Sequence, residues 1–154
     1  MSKIVATHVT VDAHVDVVWQ TLTDLTNYHR WNPFITSAAG TFDVGERLDL
    51  TIQPPGGKAM RFRPWVTAVE EHRYLEWLGR RGMPGFFDGR HSFTLTPIAS
   101  GRTLIQQSET FSGALVPFTG STLARTRAGF NATNLALATW ATRPADRHHG
   151  DDPD

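Results

Sequence analysis

The segment 86–111, FFDGRHSFTLTPIASGRTLIQQSETF, constrains the fold more than any other part of the chain. Apolar and polar residues alternate on both sides of a central break, which is the pattern of two β-strands that each turn one face toward a core. The break, residues 97–101, contains a proline and a glycine and is typical of a hairpin turn. The sequence therefore predicts a long two-stranded ribbon.

The register of this ribbon decides which side chains share a face. The predicted cross-strand pairs are Leu95–Thr103, Phe93–Ile105 and His91–Gln107. One face then carries a mostly apolar set: His91, Phe93, Leu95, Ile105, Gln107, Glu109 and Phe111. Buried polar groups cost free energy unless they have partners. The imidazole, the amide and the carboxylate on this face therefore either satisfy one another inside a core or line a cavity.

Composition limits the classes of protein to which the chain can belong. Its 154 residues fit one domain, which we expect to span residues 1–143, with a disordered polar tail at 144–154. The 15 basic and 15 acidic residues balance, which speaks against a nucleic-acid surface. The chain has no cysteine, no signal-peptide pattern and no apolar run long enough for a membrane span. We therefore expect a cytoplasmic protein, either a monomer or a homodimer.

The order of the other elements predicts the fold class. Residues 3–11 alternate as a first strand, and Asp12 is a predicted N-cap for the short helix that follows. Strands follow up to the ribbon, with a bulge or sharp bend near Arg63–Trp65 because Pro64 cannot donate to a sheet ladder. Residues 122–142 have helical periodicity. The prediction is an α+β fold in which a curved antiparallel sheet of about six or seven strands wraps around a long C-terminal helix.

Four segments carry a resemblance to a known superfamily: VDAHVDVVWQTLTDLTNYHRWNPF, VTAVEEHRYLEWLGR, HSFTLTPIASGRTLIQQSETFSG and FNATNLAL. Together they resemble the helix-grip, START-like superfamily, and most closely its polyketide cyclase/dehydrase-like (SRPBCC) branch. The resemblance covers about residues 3–142. It implies a deep, mostly apolar pocket between the sheet and the long helix, used to bind lipids, hormones or polyketides or to shape reactive intermediates.

Glu109 and His91 are the candidate catalytic residues. Desolvation on the inner face would raise the pKa of Glu109 and suit it to acid–base work, with His91 as its orienting partner. The alternative is a structural glutamate held by Arg61, Arg63 or Trp65. Ser92 and Ser108 fall on the opposite face of the ribbon, so a serine nucleophile is disfavoured. The candidate ligand-binding residues are Trp31, Phe62, Trp65, Trp77, Phe87, Phe93, Gln107, Phe111, Phe130 and Asn134.

We expect neither a cofactor nor an ordered metal site. His148, His149, Asp151 and Asp152 lie in the polar tail, where they could chelate only nonspecifically. The leading hypothesis is a module that binds a hydrophobic small molecule, such as a lipid, an isoprenoid or a polyketide-like compound. One alternative is a polyketide cyclase or dehydratase that uses Glu109 and His91 for proton transfer. A second alternative is a partner-binding or stress-response module with a vestigial pocket. The sequence leaves open whether any reaction is catalysed.

Overall fold

A computed structural model describes residues 2–144 of the chain. Its strands are β1 Ser2–Val11, β2 Ile35–Ala39, β3 Asp49–Ile52, β4 Met60–Phe62, β5 Trp65–Glu70, β6 Tyr74–Arg81, β7 Phe87–Ala99 and β8 Arg102–Ser112. Its α-helices are α1 Val15–Thr23, α2 Tyr28–Trp31 and α3 Gly120–Ala141. Short 3-10 turns lie at Leu25–Asn27 and Val116–Phe118. The predicted tail, apart from its first residue, lies outside the described residues.

The strands form two antiparallel sheets that curve around the long helix α3, so the predicted α+β helix-grip class is confirmed. The larger sheet has the order β1-β8-β7-β6-β5, and the smaller has the order β2-β3-β4. The described residues thus contain eight strands, more than the six or seven predicted. Part of the difference arises at Pro64, because β4 ends at Phe62 and β5 begins at Trp65 in the other sheet. The irregularity predicted near Arg63–Trp65 as a bulge or sharp bend is in the structure a break between two strands of different sheets.

The ribbon is β7 paired with β8, but its predicted register is wrong by two residues. The observed pairs are Pro97–Thr103, Leu95–Ile105, Phe93–Gln107 and His91–Glu109. The turn is tighter than predicted, because Ala99 still pairs with Arg102 and Gly101 takes a left-handed φ of 68°. Side chains alternate faces with a period of two, so a two-residue shift keeps every residue on its predicted face.

Helix α3 covers the inner face of the larger sheet with its own buried residues, among them Phe130, Asn134 and Leu137. A polar bridge connects it to the sheet. Gln107 donates to the Asn134 side-chain oxygen at 2.8 Å, and Asn134 donates in turn to the hydroxyl of Thr7 at 2.9 Å. These buried amides have partners in each other, which is the condition under which polar groups are tolerated in a core.

The two short helices test smaller expectations. The predicted N-cap Asp12 is wrong, because His14 occupies that position and its ring nitrogen accepts from the backbone of Asp16 at 3.4 Å. Asp12 instead pairs with Arg102 at 2.9 Å. The second short helix, α2, ends at Trp31, two residues before Pro33. In residues 2–144 no helix is long and apolar enough to cross a membrane.

Candidate functional site

A cavity of about 270 Å³ lies between the smaller sheet, the inner faces of β6, β7 and β8, and the beginning of α3. The smaller sheet contributes apolar side chains, and α3 contributes Thr122, Arg125 and Thr126. The cavity is lined from β2, β3 and β4 by Ile35, Leu50, Ile52, Met60 and Phe62. The cavity is larger than the roughly 150 Å³ that accommodates a benzene molecule in a protein interior. It therefore has room for a compact apolar ligand.

Two facing glycines are included in the part of the cavity wall that the larger sheet forms. Gly79 of β6 and Gly89 of β7 are cross-strand partners, and both line the cavity. A Cβ atom on Gly79 would lie 1.7 Å from the ring of Phe62, and one on Gly89 would lie 2.5 Å from Oε1 of Glu109. Glycine inside a strand often marks such a close approach. Only glycine at these positions leaves Phe62 and Glu109 where they are.

Aromatic side chains make most of the remaining wall. Phe87 and Phe111 stack with ring centroids 5.6 Å apart and planes 19° apart. Trp77 lies at the inner end, next to the imidazole of His91, with centroids 4.6 Å apart. Mostly aromatic walls with few polar groups are what small-molecule sites usually show.

His91 is one of the two polar side chains that reach the deep part of this cavity. It is buried among aromatic rings, with Phe130 at 4.7 Å and Phe93 at 4.9 Å between centroids. Burial lowers the pKa of His91 to about 3, and its interaction with Gln107 acts in the opposite direction. Its Nε2 atom is buried and has no hydrogen-bond partner among the described residues. The imidazole is therefore neutral at neutral pH and retains an unused hydrogen-bonding nitrogen.

Glu109 is the other polar side chain. It faces His91 across the ribbon, with Oε2 3.8 Å from Nδ1, and its side chain is 13% exposed. Burial raises the pKa of Glu109 to about 8. Because desolvation disfavours both charged forms, the pair at neutral pH is a neutral carboxylic acid beside a neutral imidazole rather than an ion pair. A neutral carboxyl can donate a hydrogen bond to a ligand carbonyl or hydroxyl oxygen.

Among the described residues, none of those considered as structural partners of Glu109 forms a hydrogen bond or an ion pair with its carboxyl. Arg61 donates to Asp49 across β3 and β4. The carbonyl of Arg63 accepts two hydrogen bonds from Arg47, whose guanidinium lies 4.2 Å from the ring centre of Trp65. Of the described basic side chains, His91 is the one within 4 Å of the Glu109 carboxyl.

The structure brings together only part of the set predicted from the sequence. Six predicted residues line the cavity: Phe62, Trp77, Phe87, His91, Glu109 and Phe111. Phe93, Gln107, Phe130 and Asn134 are buried in the core beneath it. Trp31 packs against Tyr28 with centroids 5.0 Å apart, and Trp65 lies beneath Arg47. The inner face of the ribbon is thus self-satisfied core at one end and cavity wall at the other.

Sequence reasoning missed the glycines and the basic residues of this site. Gly79 and Gly89 interrupt strand patterns, which is a signal of close backbone approach. The lining also contains Lys58, Arg80, Arg81 and Arg125. Within residues 2–144, no group of three or more histidine, aspartate or glutamate side chains is arranged to hold a metal ion.

Comparison with known proteins identifies the family of this chain and shows that its fold occurs in other proteins. A family model described as "Polyketide cyclase / dehydrase and lipid transport" matches residues 2–140. No curated protein matches the chain. Several hundred solved chains are similar in structure, 312 in all, so the architecture is a common one.

Three of these structures illustrate the similarity. An aromatase/cyclase named Zhui from a Streptomyces species has a TM-score of 0.76 at 16% identity, covering 98% of this chain and 100% of its own. A START superfamily protein from Mycobacterium smegmatis has a TM-score of 0.67 at 21% identity, covering 88% and 93% respectively. Norcoclaurine synthase from Thalictrum flavum, solved with dopamine and hydroxybenzaldehyde, has a TM-score of 0.70 at 16% identity, covering 99% and 90%. At such identities the likeness concerns the fold alone.

The shifted pKa values predict how the stability of the folded protein depends on pH. The unfolded chain releases the Glu109 proton near pH 4.5, whereas the folded protein keeps it to about pH 8, so the contribution of Glu109 to stability falls over that range. His91, shifted from 6.5 to about 3, adds stability as the pH rises to 6.5 and nothing more above it. Between about pH 6.5 and 8, where His91 no longer contributes a change, the ionisation of Glu109 should lower the free energy of unfolding by about 1 to 2 kcal/mol.

Urea denaturation of the wild type and of Glu109→Gln at both ends of this window tests the expectation. Glutamine cannot ionise, so the free energy of unfolding of the variant should not show the decrease that Glu109 causes. Glu46→Gln, at an exposed position, serves as the control and should behave like the wild type. Equal pH dependence in the wild type and Glu109→Gln would show that Glu109 does not titrate as described.

Proposed function

This chain belongs to the polyketide cyclase/dehydrase and lipid transport family, and from that premise we propose that it binds a hydrophobic small molecule between its sheet and α3. The observation that carries the proposal is the cavity of about 270 Å³ with an aromatic wall. Apolar surface that a ligand covers there leaves water, at roughly 25 cal/mol for each Å². A lipid fragment, an isoprenoid unit or a polyketide-like ring system has this apolar character.

The polar pair gives such a ligand an orientation. Neutral Glu109 can donate a hydrogen bond to a carbonyl or hydroxyl oxygen of the ligand, and the side chain leans over Gly89 toward the cavity. A few polar groups in an apolar pocket fix orientation and specificity more than affinity. The preferred ligand is therefore an apolar body that carries an oxygen acceptor.

We infer a second candidate function, proton transfer in a polyketide cyclase or dehydratase reaction, from the position of Glu109. A carboxyl whose pKa lies near 8 exchanges a proton close to neutral pH, which suits a general acid or base. As a base, the Glu109 carboxylate would take a proton from the ligand carbon next to a carbonyl. The electrons of that C–H bond would form the C=C bond of an enolate, with the negative charge on the former carbonyl oxygen. Returning the proton to the enolate oxygen gives the enol. His91, 3.8 Å away, would position the carboxyl.

A cavity-filling variant tests the binding proposal. Thr126 lines the cavity and Thr139 does not, yet each hydroxyl donates to the carbonyl four residues earlier in α3, at 2.9 and 3.0 Å. Thr126→Trp should place an indole in the cavity and weaken binding of the neutral probe naphthamide more than about tenfold. Thr139→Trp, the matched control, should bind like the wild type. Isothermal titration calorimetry measures the dissociation constants, and melting temperatures verify folding.

Two outcomes would overturn the binding proposal. The first is a wild-type protein that binds no naphthamide at roughly millimolar concentration, as a vestigial pocket would predict. The second is equal binding by the wild type and Thr126→Trp, because the ligand would then occupy another surface.

Glu109→Gln separates the second candidate function from binding alone. Benzoylacetone is a β-diketone, and deuterium exchange at the carbon between its carbonyls reports enolisation by NMR. If Glu109 is the base, wild-type protein should accelerate exchange, and Glu109→Gln should lose about a hundredfold or more of that acceleration while its affinity stays within about twofold. Glu46→Gln should exchange like the wild type. Exchange by Glu109→Gln as fast as by the wild type would remove Glu109 from any proton-transfer role.

A further inference from the structure

Basic side chains from three separate parts of the chain meet at the mouth of the cavity. Lys58 lies on the connection between β3 and β4, Arg81 is the last residue of β6, and Arg125 lies in the second turn of α3. Arg80 also lines the cavity, but it is paired with Asp88 at 3.6 Å. The three elements are far apart in sequence, so the fold rather than a local charge run brings these cations together.

These three cations are not neutralised by the protein itself. Among residues 2–144, no carboxylate lies within 4 Å of Lys58, Arg81 or Arg125, and the guanidinium of Arg81 contacts the sulfur of Met60 instead. The chain as a whole has equal numbers of acidic and basic residues. The excess of positive charge at the mouth is therefore local.

Among the described residues that line the cavity, Glu109 is the one acidic side chain, and it is largely buried whereas Lys58, Arg81 and Arg125 are exposed. Arg81 lies on the same face of β6 as Gly79 and Trp77, since alternate residues share a face. Four residues of strand span roughly 13 Å, so the backbone positions of Arg81 and Trp77 are far enough apart for a two-ring compound with an acidic group at one end. Positive charge at one end and apolar wall at the other form an amphipathic site.

We propose that the ligand of this cavity is an amphipathic organic anion, with a carboxylate or phosphate at the mouth and a compact apolar body extending toward Trp77. Arg81 and Arg125 offer planar forks that match the geometry of both anionic groups, and Lys58 adds a third positive charge. This inference rests on the proposed binding function and narrows it from hydrophobic ligands in general to those that carry an acidic group.

Matched probes test the inference on the wild-type protein. Naphthoate and naphthamide have the same ring system and differ in the charge of one substituent. We expect naphthoate to bind about tenfold more tightly at low ionic strength, and this advantage to shrink as sodium chloride is raised from roughly 0.05 M to 0.5 M. Naphthyl phosphate distinguishes the two headgroups: the tighter of the two anionic probes identifies the group that the mouth prefers.

A pair of arginine variants on the same helix localises the effect. Arg125→Gln should reduce the preference for naphthoate over naphthamide, measured as the ratio of the two dissociation constants, by about threefold to fivefold. Arg127→Gln is the control, because Arg127 does not line the cavity and donates to the carbonyl of Ala6 at 3.0 Å. It should retain the wild-type preference.

The outcomes distinguish this inference from the function on which it rests. If naphthamide binds and naphthoate binds no better, the anion preference is overturned while the hydrophobic binding function stands. The same holds if Arg125→Gln and Arg127→Gln reduce the preference equally, because the attraction would then not arise at the mouth. If neither probe binds at roughly millimolar concentration, both the function and the inference fail.

Discussion

The close packing of Phe62 and Glu109 against Gly79 and Gly89 is the constraint on which the site depends. The two glycines are partners on neighbouring strands, so β6 and β7 have no side chain at the point where the ring of Phe62 and the carboxyl of Glu109 approach them. Further along the same strands the inner face carries large residues, and there α3 packs directly on the sheet. The change from large residues to glycine along one face thus separates the solid core from the cavity.

Desolvation gives the inner end of this cavity its chemical character. His91 and Glu109 are both buried, and burial moves their pKa values in opposite directions, to about 3 and about 8. Each group is neutral at neutral pH, so the inner end offers hydrogen bonds rather than charge. The mouth differs, because Lys58, Arg81 and Arg125 are charged there. A ligand therefore meets charge at the mouth and hydrogen-bonding groups against an aromatic wall at the inner end.

The sequence predicted the fold class, the family resemblance and the faces of the main elements, because periodicity reports which side of a strand or helix is buried. It predicted His91 and Glu109 on one inner face even though the register was wrong by two residues, since that shift preserves the faces. Periodicity does not show how far along a strand the cavity begins. Phe93 and Gln107 lie on the predicted face but are buried in the core below the cavity. Trp65 begins β5, at the boundary between the two sheets, and the position of that boundary depends on which strands pair. The basic residues at the mouth converge only in the folded chain.

NMR of the tryptophan indole N–H groups tests most directly whether a ligand binds above the glycine pair, next to Trp77. The chain has five tryptophans, and one of them, Trp77, lines the cavity. Titration with naphthamide should move the Trp77 indole signal and leave those of Trp31 and Trp65 in place. A titration that moves the Trp31 or Trp65 signal while Trp77 stays unchanged would contradict the account, because the ligand would then lie outside this cavity.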